Sequence, residues 1–215
     1  MMKKYIREPV NSLTHLAGAV LSLIALALML YKGIIRDIGA VGILSILIFG
    51  ISMFALYTTS GIYHLVIAKD KILLRLKKLD HSMIFVLIAG TYTPILTYVT
   101  QGRQRIAMLS LIWGIALAGV LFKIFWINAP RWFYTGIYLG MGWISVFMIG
   151  RIYAAMAPRG IMLLLAGGLS YTAGAVIYGM KKPDISRHFG FHELFHCFVL
   201  TGTFFHFLMV YTQVL

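Results

Sequence analysis

His192-Glu193-Leu194-Phe195-His196 opens the last long apolar stretch of the chain. Two His four residues apart project from one face of a helix, which suits two ligands of a single metal ion. His64 closes an earlier apolar stretch, and Asp80 opens the one after it. Three neutral imidazoles around Zn2+ leave a fourth position for water, whose pKa such a site lowers to about 7. Asp80 is the candidate to orient that water and accept its proton. Ser60 lies one turn before His64 on the same face. It is a candidate to bond the same water or a substrate oxygen, and equally to bond a carbonyl one turn back. The expected metal ligands are therefore His64, His192 and His196, with Asp80 and Ser60 as the expected catalytic residues. Ligand type alone suits zinc and other imidazole-binding ions alike.

The remaining candidates divide by spacing. Glu193 completes the letters of the HExxH zincin motif, but here they sit at the head of a wholly apolar segment. Glu193 is expected to face a neighbouring segment, water or a substrate. His188 precedes His192 by one turn and falls beside Arg187, in a loop. His206 lies ten residues past His196, about 15 Å further along a helix, too far to share an ion. His81 is expected to point away from Asp80. His15 opens the first apolar stretch, as a residue near the metal ligands or an interfacial one. The single cysteine, Cys197, allows no disulfide framework and, pointing about 100° away from His196 on a helix, is expected to be a small buried apolar residue rather than a ligand.

Composition sets the class that must position these residues. The chain has 215 residues, of which 60% are hydrophobic and 12% charged. Its mean hydropathy is +0.89. Soluble domains are about 45–50% apolar and about 25% charged, so this is an integral membrane protein, expected to form a single domain. A span needs about 17–25 mostly apolar residues. Seven stretches qualify, at about 13–31, 39–67, 82–99, 106–126, 132–150, 160–179 and 191–213. The expected fold is an all-α bundle of seven transmembrane helices. Gly140, Gly142 and Gly167-Gly168 are expected to mark close helix packing.

The net charge of +13 does not point to nucleic acid, because the cations sit between the apolar stretches. There they read as topology signals and headgroup contacts. Lys3, Lys4 and Arg7, the cluster from Lys69 to Lys78, Lys123 with Arg131, and Lys181, Lys182 and Arg187 fall on one side. That side holds thirteen Lys and Arg against six on the other. The excess places the N-terminus in the cytoplasm and the C-terminus outside. On that topology His64, Asp80, His192 and His196 all lie at the cytoplasmic level. No cleavable signal peptide is evident, because the first apolar stretch is too long for one.

With these residues in place, the chain resembles the hemolysin III branch of the progestin and adipoQ receptor family over its whole length. Four motifs carry the resemblance. They are Glu8-Pro9-Val10-Asn11-Ser12-Leu13-Thr14-His15 at the entry to the first span and Ser60-Gly61-Ile62-Tyr63-His64. Asp80-His81 followed by Ala89-Gly90-Thr91-Tyr92-Thr93-Pro94 is the third, and His192 to His196 the fourth. The resemblance implies a cytoplasmic-side zinc ion held by His64, His192 and His196. It implies that Asp80 contacts the ion through water and that Ser60 belongs to the same cluster. It also implies kinship with alkaline ceramidases, which hydrolyse lipid amides, and a link to membrane lipid and fluidity homeostasis. A short basic chain with almost no N-terminal cytoplasmic domain departs from the animal receptors and looks bacterial, placed in a plasma membrane.

Four functions then compete. A zinc-dependent intramembrane hydrolase of a lipid amide or ester is the leading expectation, with membrane lipids as partners. A closed zinc site would only staple three spans together, with Asp80 as fourth ligand. A membrane-state sensor would use zinc structurally, and a cytolytic pore would need a polar stripe along several spans.

Overall fold

The computed structural model describes residues 5–186 and 189–215, and among these it contains helices but no β-strand beyond one isolated bridge. Lys3, Lys4, Arg187 and His188, used above for topology or as candidates, lie outside the described residues. The helices are α1 (Pro9–Ile35), α2 (Gly39–Leu65), α3 (Asp70–Val99), α4 (Gly102–Phe125), α5 (Arg131–Gly142), α6 (Ile149–Ala155), α7 (Pro158–Met180) and α8 (Phe191–Met209). A 3-10 segment, Trp143–Met148, joins α5 to α6, and a π turn, Val210–Val214, extends α8. Counting α5 through α6 as one, seven segments are long and apolar enough to cross a membrane. Large apolar side chains such as Leu21, Leu28, Leu117 and Phe147 point outward along them, as lipid-facing residues do.

The expected spans coincide with these helices, with one correction of consequence. The third was expected to begin near residue 82, yet α3 starts at Asp70. Nothing between Asp70 and Ile88 interrupts a helix, because that stretch contains neither Gly nor Pro and is rich in Leu, Lys and Arg. Asp80 and His81 therefore sit in the interior of a continuous helix, where packing on both sides fixes their direction. Pro94 further along removes one backbone donor from the same helix.

The packing of α1 to α4 is dense. Phe49, Met53 and Tyr57 of α2 and Phe85 of α3 are almost wholly buried. Glycine notches let the helices approach. A Cβ on Gly90 would fall 2.1 Å from Ser52 Oγ, and one on Gly119 would fall 2.4 Å from the Phe85 ring. Lys123, counted above with the loop cations, is fully buried instead. Its Nζ lies 3.1 Å from the centre of the Tyr134 ring, so an aromatic face replaces water around the ammonium.

The α5–α7 side is built differently. Gly167 is a close-packing glycine, since a Cβ there would meet the His206 ring at 2.3 Å. Gly140, Gly142 and Gly168 are not, for nothing lies within 4 Å of a Cβ built on any of them. Small size alone does not identify a contact, and these three leave room rather than fill it. The break in the fifth span has a local cause. The Tyr92 hydroxyl donates to the Gly142 carbonyl at 2.7 Å and accepts from the Ser145 N–H at 2.8 Å. A side chain inserted into the ladder in this way opens a helix without leaving its polar groups unpaired.

Gly119→Ala is expected to lower stability by about 1–3 kcal/mol, the usual cost of overpacking, read as a drop in melting temperature in detergent. Gly114→Ala, whose Cβ would meet nothing within 4 Å, is the matched control and should be neutral or slightly stabilising.

Candidate metal centre

The site is assembled where the end of α2 meets the starts of α1 and α8. His64 occupies the last turn of α2 and is fully buried. The segment before α1 hooks over this turn, with the Arg7 N–H donating to the Leu65 carbonyl and the Glu8 N–H to the His64 carbonyl. That hook brings the Glu8 carboxylate to 2.7 Å from His64 Nδ1. An Nδ1–H donating to a carboxylate leaves the lone pair on Nε2. His64 Nε2 is buried and has no hydrogen-bond partner among the described residues.

A polar frame holds Glu8 in turn. Arg7 Nε pairs with its other oxygen at 3.3 Å. Asn11 Nδ2 donates to Glu8 Oε2 and to Glu193 Oε1, each at 3.0 Å. Glu193 Oε2 accepts the Gly190 N–H at 2.9 Å and so caps the start of α8. The frame thus joins α1, α2 and α8 at the level of the histidines. Burial disfavours the ionised form of Glu8, but the His64 hydrogen bond and charge, with Asn11 and Arg7, outweigh it and hold the carboxyl at about 2.

His192 and His196 complete a triangle with His64. The ring centres are 5.1 Å apart for His64 and His192, 4.9 Å for His64 and His196, and 4.9 Å for His192 and His196. One nitrogen from each ring lies within 4.8 Å of the others. His196 Nδ1 also lacks a partner among the described residues. Three converging imidazoles, two of them buried with an unsatisfied nitrogen, fit the donor set of a tetrahedral metal ion with an open position. His15 stacks flat on His196, with ring centres 3.6 Å apart and planes 10° apart.

Ser60 of α2 reaches across to the Asp80 carboxylate of α3, beside His64. Ser60, Asp80, His192, His196 and His15 all border one cavity of about 170 Å³. From this polar end the cavity runs along Ile84, Ile88, Ile95, Val146 and Leu165, past the opened stretch of the fifth span.

The structure brings together all five expected site residues. It corrects His81, and also Cys197, which is half-buried rather than buried; Glu193, His15 and His206 fall within the alternatives stated for them. Glu193, which the HExxH letters would make a general base, is committed to Asn11 and to the α8 cap. His81 borders the same cavity as Asp80 rather than pointing away from it, because the cavity spans more than the arc between neighbouring helix positions. His15 is buried against His196, not interfacial. His206 borders the cavity far from the triangle and meets the Leu164 carbonyl through Nε2 at 3.2 Å. Glu8 and Asn11 had no role assigned from the sequence. The rule that metal-bound His rings donate their second N–H to a carboxylate would have prompted a search for such a partner.

Comparison with known proteins shows the family of the chain. Residues 3–207 match the family model described as Haemolysin-III related. The chain is 37% identical over 198 residues to the Hemolysin-3 homolog of Bacillus subtilis (strain 168), covering 91% of this chain and 89% of the relative. It is 34% identical over 203 residues to Hemolysin-3 of Bacillus cereus, covering 94% and 90%. It is also 26% identical over 168 residues to the human Monocyte to macrophage differentiation factor, covering 76% and 68%.

Glu8→Gln is expected to weaken zinc binding about 10–100-fold, as loss of a carboxylate behind a metal-binding His does, measured by chelator competition on purified protein. Glu8 also predicts an acid dependence. A carboxyl depressed from 4.5 to about 2 on folding adds stability that is full above pH 4.5 and lost as pH falls through about 2. Melting temperatures between pH 5 and pH 2 should fall more steeply in the wild type than in Glu8→Gln.

Proposed function

We propose, for a chain that belongs to the haemolysin-III related family of membrane proteins, that it is a zinc-dependent intramembrane hydrolase of a lipid amide or ester. The observation that carries this reading is the histidine triangle at one end of a mainly apolar cavity. His64, His192 and His196 would hold the ion, with Glu8 orienting His64. Bound zinc supplies Lewis acidity and lowers the pKa of water in its open position. Asp80 accepts a proton at its carboxylate, and Ser60 holds that carboxylate in place. The apolar walls admit acyl chains and exclude bulk water, which strengthens each electrostatic contact within. The thirteen-to-six split of Lys and Arg supports a cytoplasmic N-terminus and a catalytic end facing the cytoplasm. The Bacillus relatives support a bacterial membrane protein, and a place in the plasma membrane with a role in membrane lipid homeostasis belongs to the same proposal.

One competing reading has an observation of its own. Asp80 borders the cavity beside His192 and His196, and if it moved onto the ion it would be a fourth ligand. The site would then be closed and structural, the form that a non-enzymatic membrane-state sensor would also use. A cytolytic pore fits less well, because the cavity wall between Ile84 and Leu165 is mainly apolar.

Elemental analysis and lipid-amide turnover of purified protein separate these readings. Wild type should carry about one zinc per chain, and His64→Ala and His192→Ala should lose it. Asp80→Asn should keep the metal and the melting temperature and lose turnover about 10²–10⁴-fold. A metal-free, low-melting Asp80→Asn would instead establish the structural site. Metal-free wild type, prepared without chelators, would overturn both.

A further inference from the structure

The end of the bundle opposite the histidine triangle holds a second cavity, of about 210 Å³. It lies where α2 starts, α3 ends and α4 starts, beside Val214 in the turn that extends α8. Ser45 on its wall precedes His64 by nineteen residues of α2, about 28 Å along the axis. About 10–15 Å³ suffices to hold one water, so this space has room for a larger molecule.

Four polar side chains border it, Ser45, Thr97, Tyr98 and Arg105. Two of them are committed. Ser45 donates to the Gly42 carbonyl at 2.7 Å, and Tyr98 to the Ala155 carbonyl at 3.1 Å. Thr97 is not. Thr91, Thr93 and Thr100 each donate to the carbonyl one turn back, the usual bond of a helical threonine. Thr97 makes no hydrogen bond among the described residues, and its hydroxyl is not buried.

Arg105 has a single bond, from Nε to the Thr100 carbonyl at 3.0 Å. Thr100 caps α3, so the guanidinium is fixed against a helix end, where carbonyls lack intrahelical partners. Both Nη groups stay unpaired among the described residues, and neither is buried. Asp37 is the one acid at this end, against six Lys and Arg; it is exposed, and among the described residues no carboxylate pairs with Arg105. The unspent groups on the wall are thus a fixed fork of N–H donors and a hydroxyl, in surroundings of net positive charge. Such a fork matches two oxygens of one anionic group. The rim fits a lipid. Val41 and Tyr98 are 53% and 42% exposed, and exposed Leu44 and Ile51 continue from Val41 along α2. Helix ends of this kind lie at the headgroup level of a bilayer.

We infer that this cavity binds the phosphate group of an anionic phospholipid, taken from the leaflet farther from the histidine triangle. Arg105 and Thr97 are its donors, and the acyl chains lie along the outward face of α2. The site depends on neither zinc nor turnover.

Equilibrium titration of the purified protein in detergent with dioctanoyl phosphatidylglycerol tests it. Binding to the folded state should also raise the melting temperature. Wild type should bind this lipid about 10–100-fold more tightly than dioctanoyl glycerol, which has the same chains and no phosphate. Arg105→Gln should lose about that factor and bind the two lipids alike. Thr97→Val keeps the side-chain volume and should lose about two- to tenfold. Arg103→Gln removes a cation of the same end that does not border the cavity, and it should bind as wild type does. If Arg105→Gln fails to fold, the contrast between Thr97→Val and Arg103→Gln decides. Equal binding of both lipids by wild type would overturn the inference. So would equal losses in Arg103→Gln and in the two cavity variants, which would reduce the effect to general attraction of anions to a basic surface. Inorganic phosphate that binds as tightly as the lipid, with the same dependence on Arg105, would overturn the lipid source in favour of a free anion.

Discussion

A polar atom inside hydrocarbon has no water to fall back on, so each must find its partner within the protein or in a ligand. That constraint governs this molecule more than any apolar contact does. His64 meets it on one side only, through Glu8, and His206 likewise through Leu164. His64 Nε2, His196 Nδ1 and both nitrogens of His15 do not meet it among the described residues. Each unsatisfied buried group costs about 1–3 kcal/mol. Packing residues of similar volume would carry no such cost. Three of these rings, those of His64, His192 and His196, converge, and that convergence is what the proposed metal site rests on. The frame of Arg7, Glu8, Asn11 and Glu193 extends the same logic outward, because each of its atoms holds the next in place.

The two halves of the bundle divide the remaining work. On the α1–α4 side, notches at Gly90 and Gly119 bring helices into contact and leave little room. This half holds Ser60, His64 and Asp80 rigidly, and a metal or catalytic site needs that precision. On the α5–α7 side the glycines at 140, 142 and 168 open space, and the Tyr92 hydroxyl holds the fifth span apart at Gly142. The cavity follows the boundary between the halves. The most enclosed helix, α3, faces both, which is why it carries Asp80 and His81 at one depth and Tyr92 at another.

What could be read from the sequence follows the range of the interactions involved. Span positions and the pairing of His192 with His196 depend on neighbours within a few residues, and both were legible. His64 and Asp80 joined them through membrane depth, which the order of spans supplies. The start of α3 was missed because hydropathy reports where a helix enters hydrocarbon, whereas the helix itself continues through Lys71–Lys78 on propensity. Glu8 was hidden for a different reason. It meets His64 across 56 residues, and no periodicity links an N-terminal hook to the end of another helix. The fifth-span break was equally hidden, because Trp143–Met148 is apolar apart from Ser145 and free of Pro and Gly, and its cause lies on α3. Glycine misled in one respect, for the same residue type marks the tight contact at Gly167 and the open wall at Gly168.

The arrangement of polar groups along the cavity bears on how an occupant is placed. Apolar burial gives about 0.8 kcal/mol per methylene, but it has no direction. A chain sliding along Ile84, Ile88, Ile95 and Val146 would exchange one methylene contact for another with little net change. Registration must come from polar contacts, which fall off over tenths of an ångström. At the triangle end those contacts are His192, His196, Asp80 and Ser60. On the proposed reading the triangle end would fix the position of a bound amphiphile that the apolar track leaves free to slide, and a reacting carbonyl needs that before any neighbouring group can act on it.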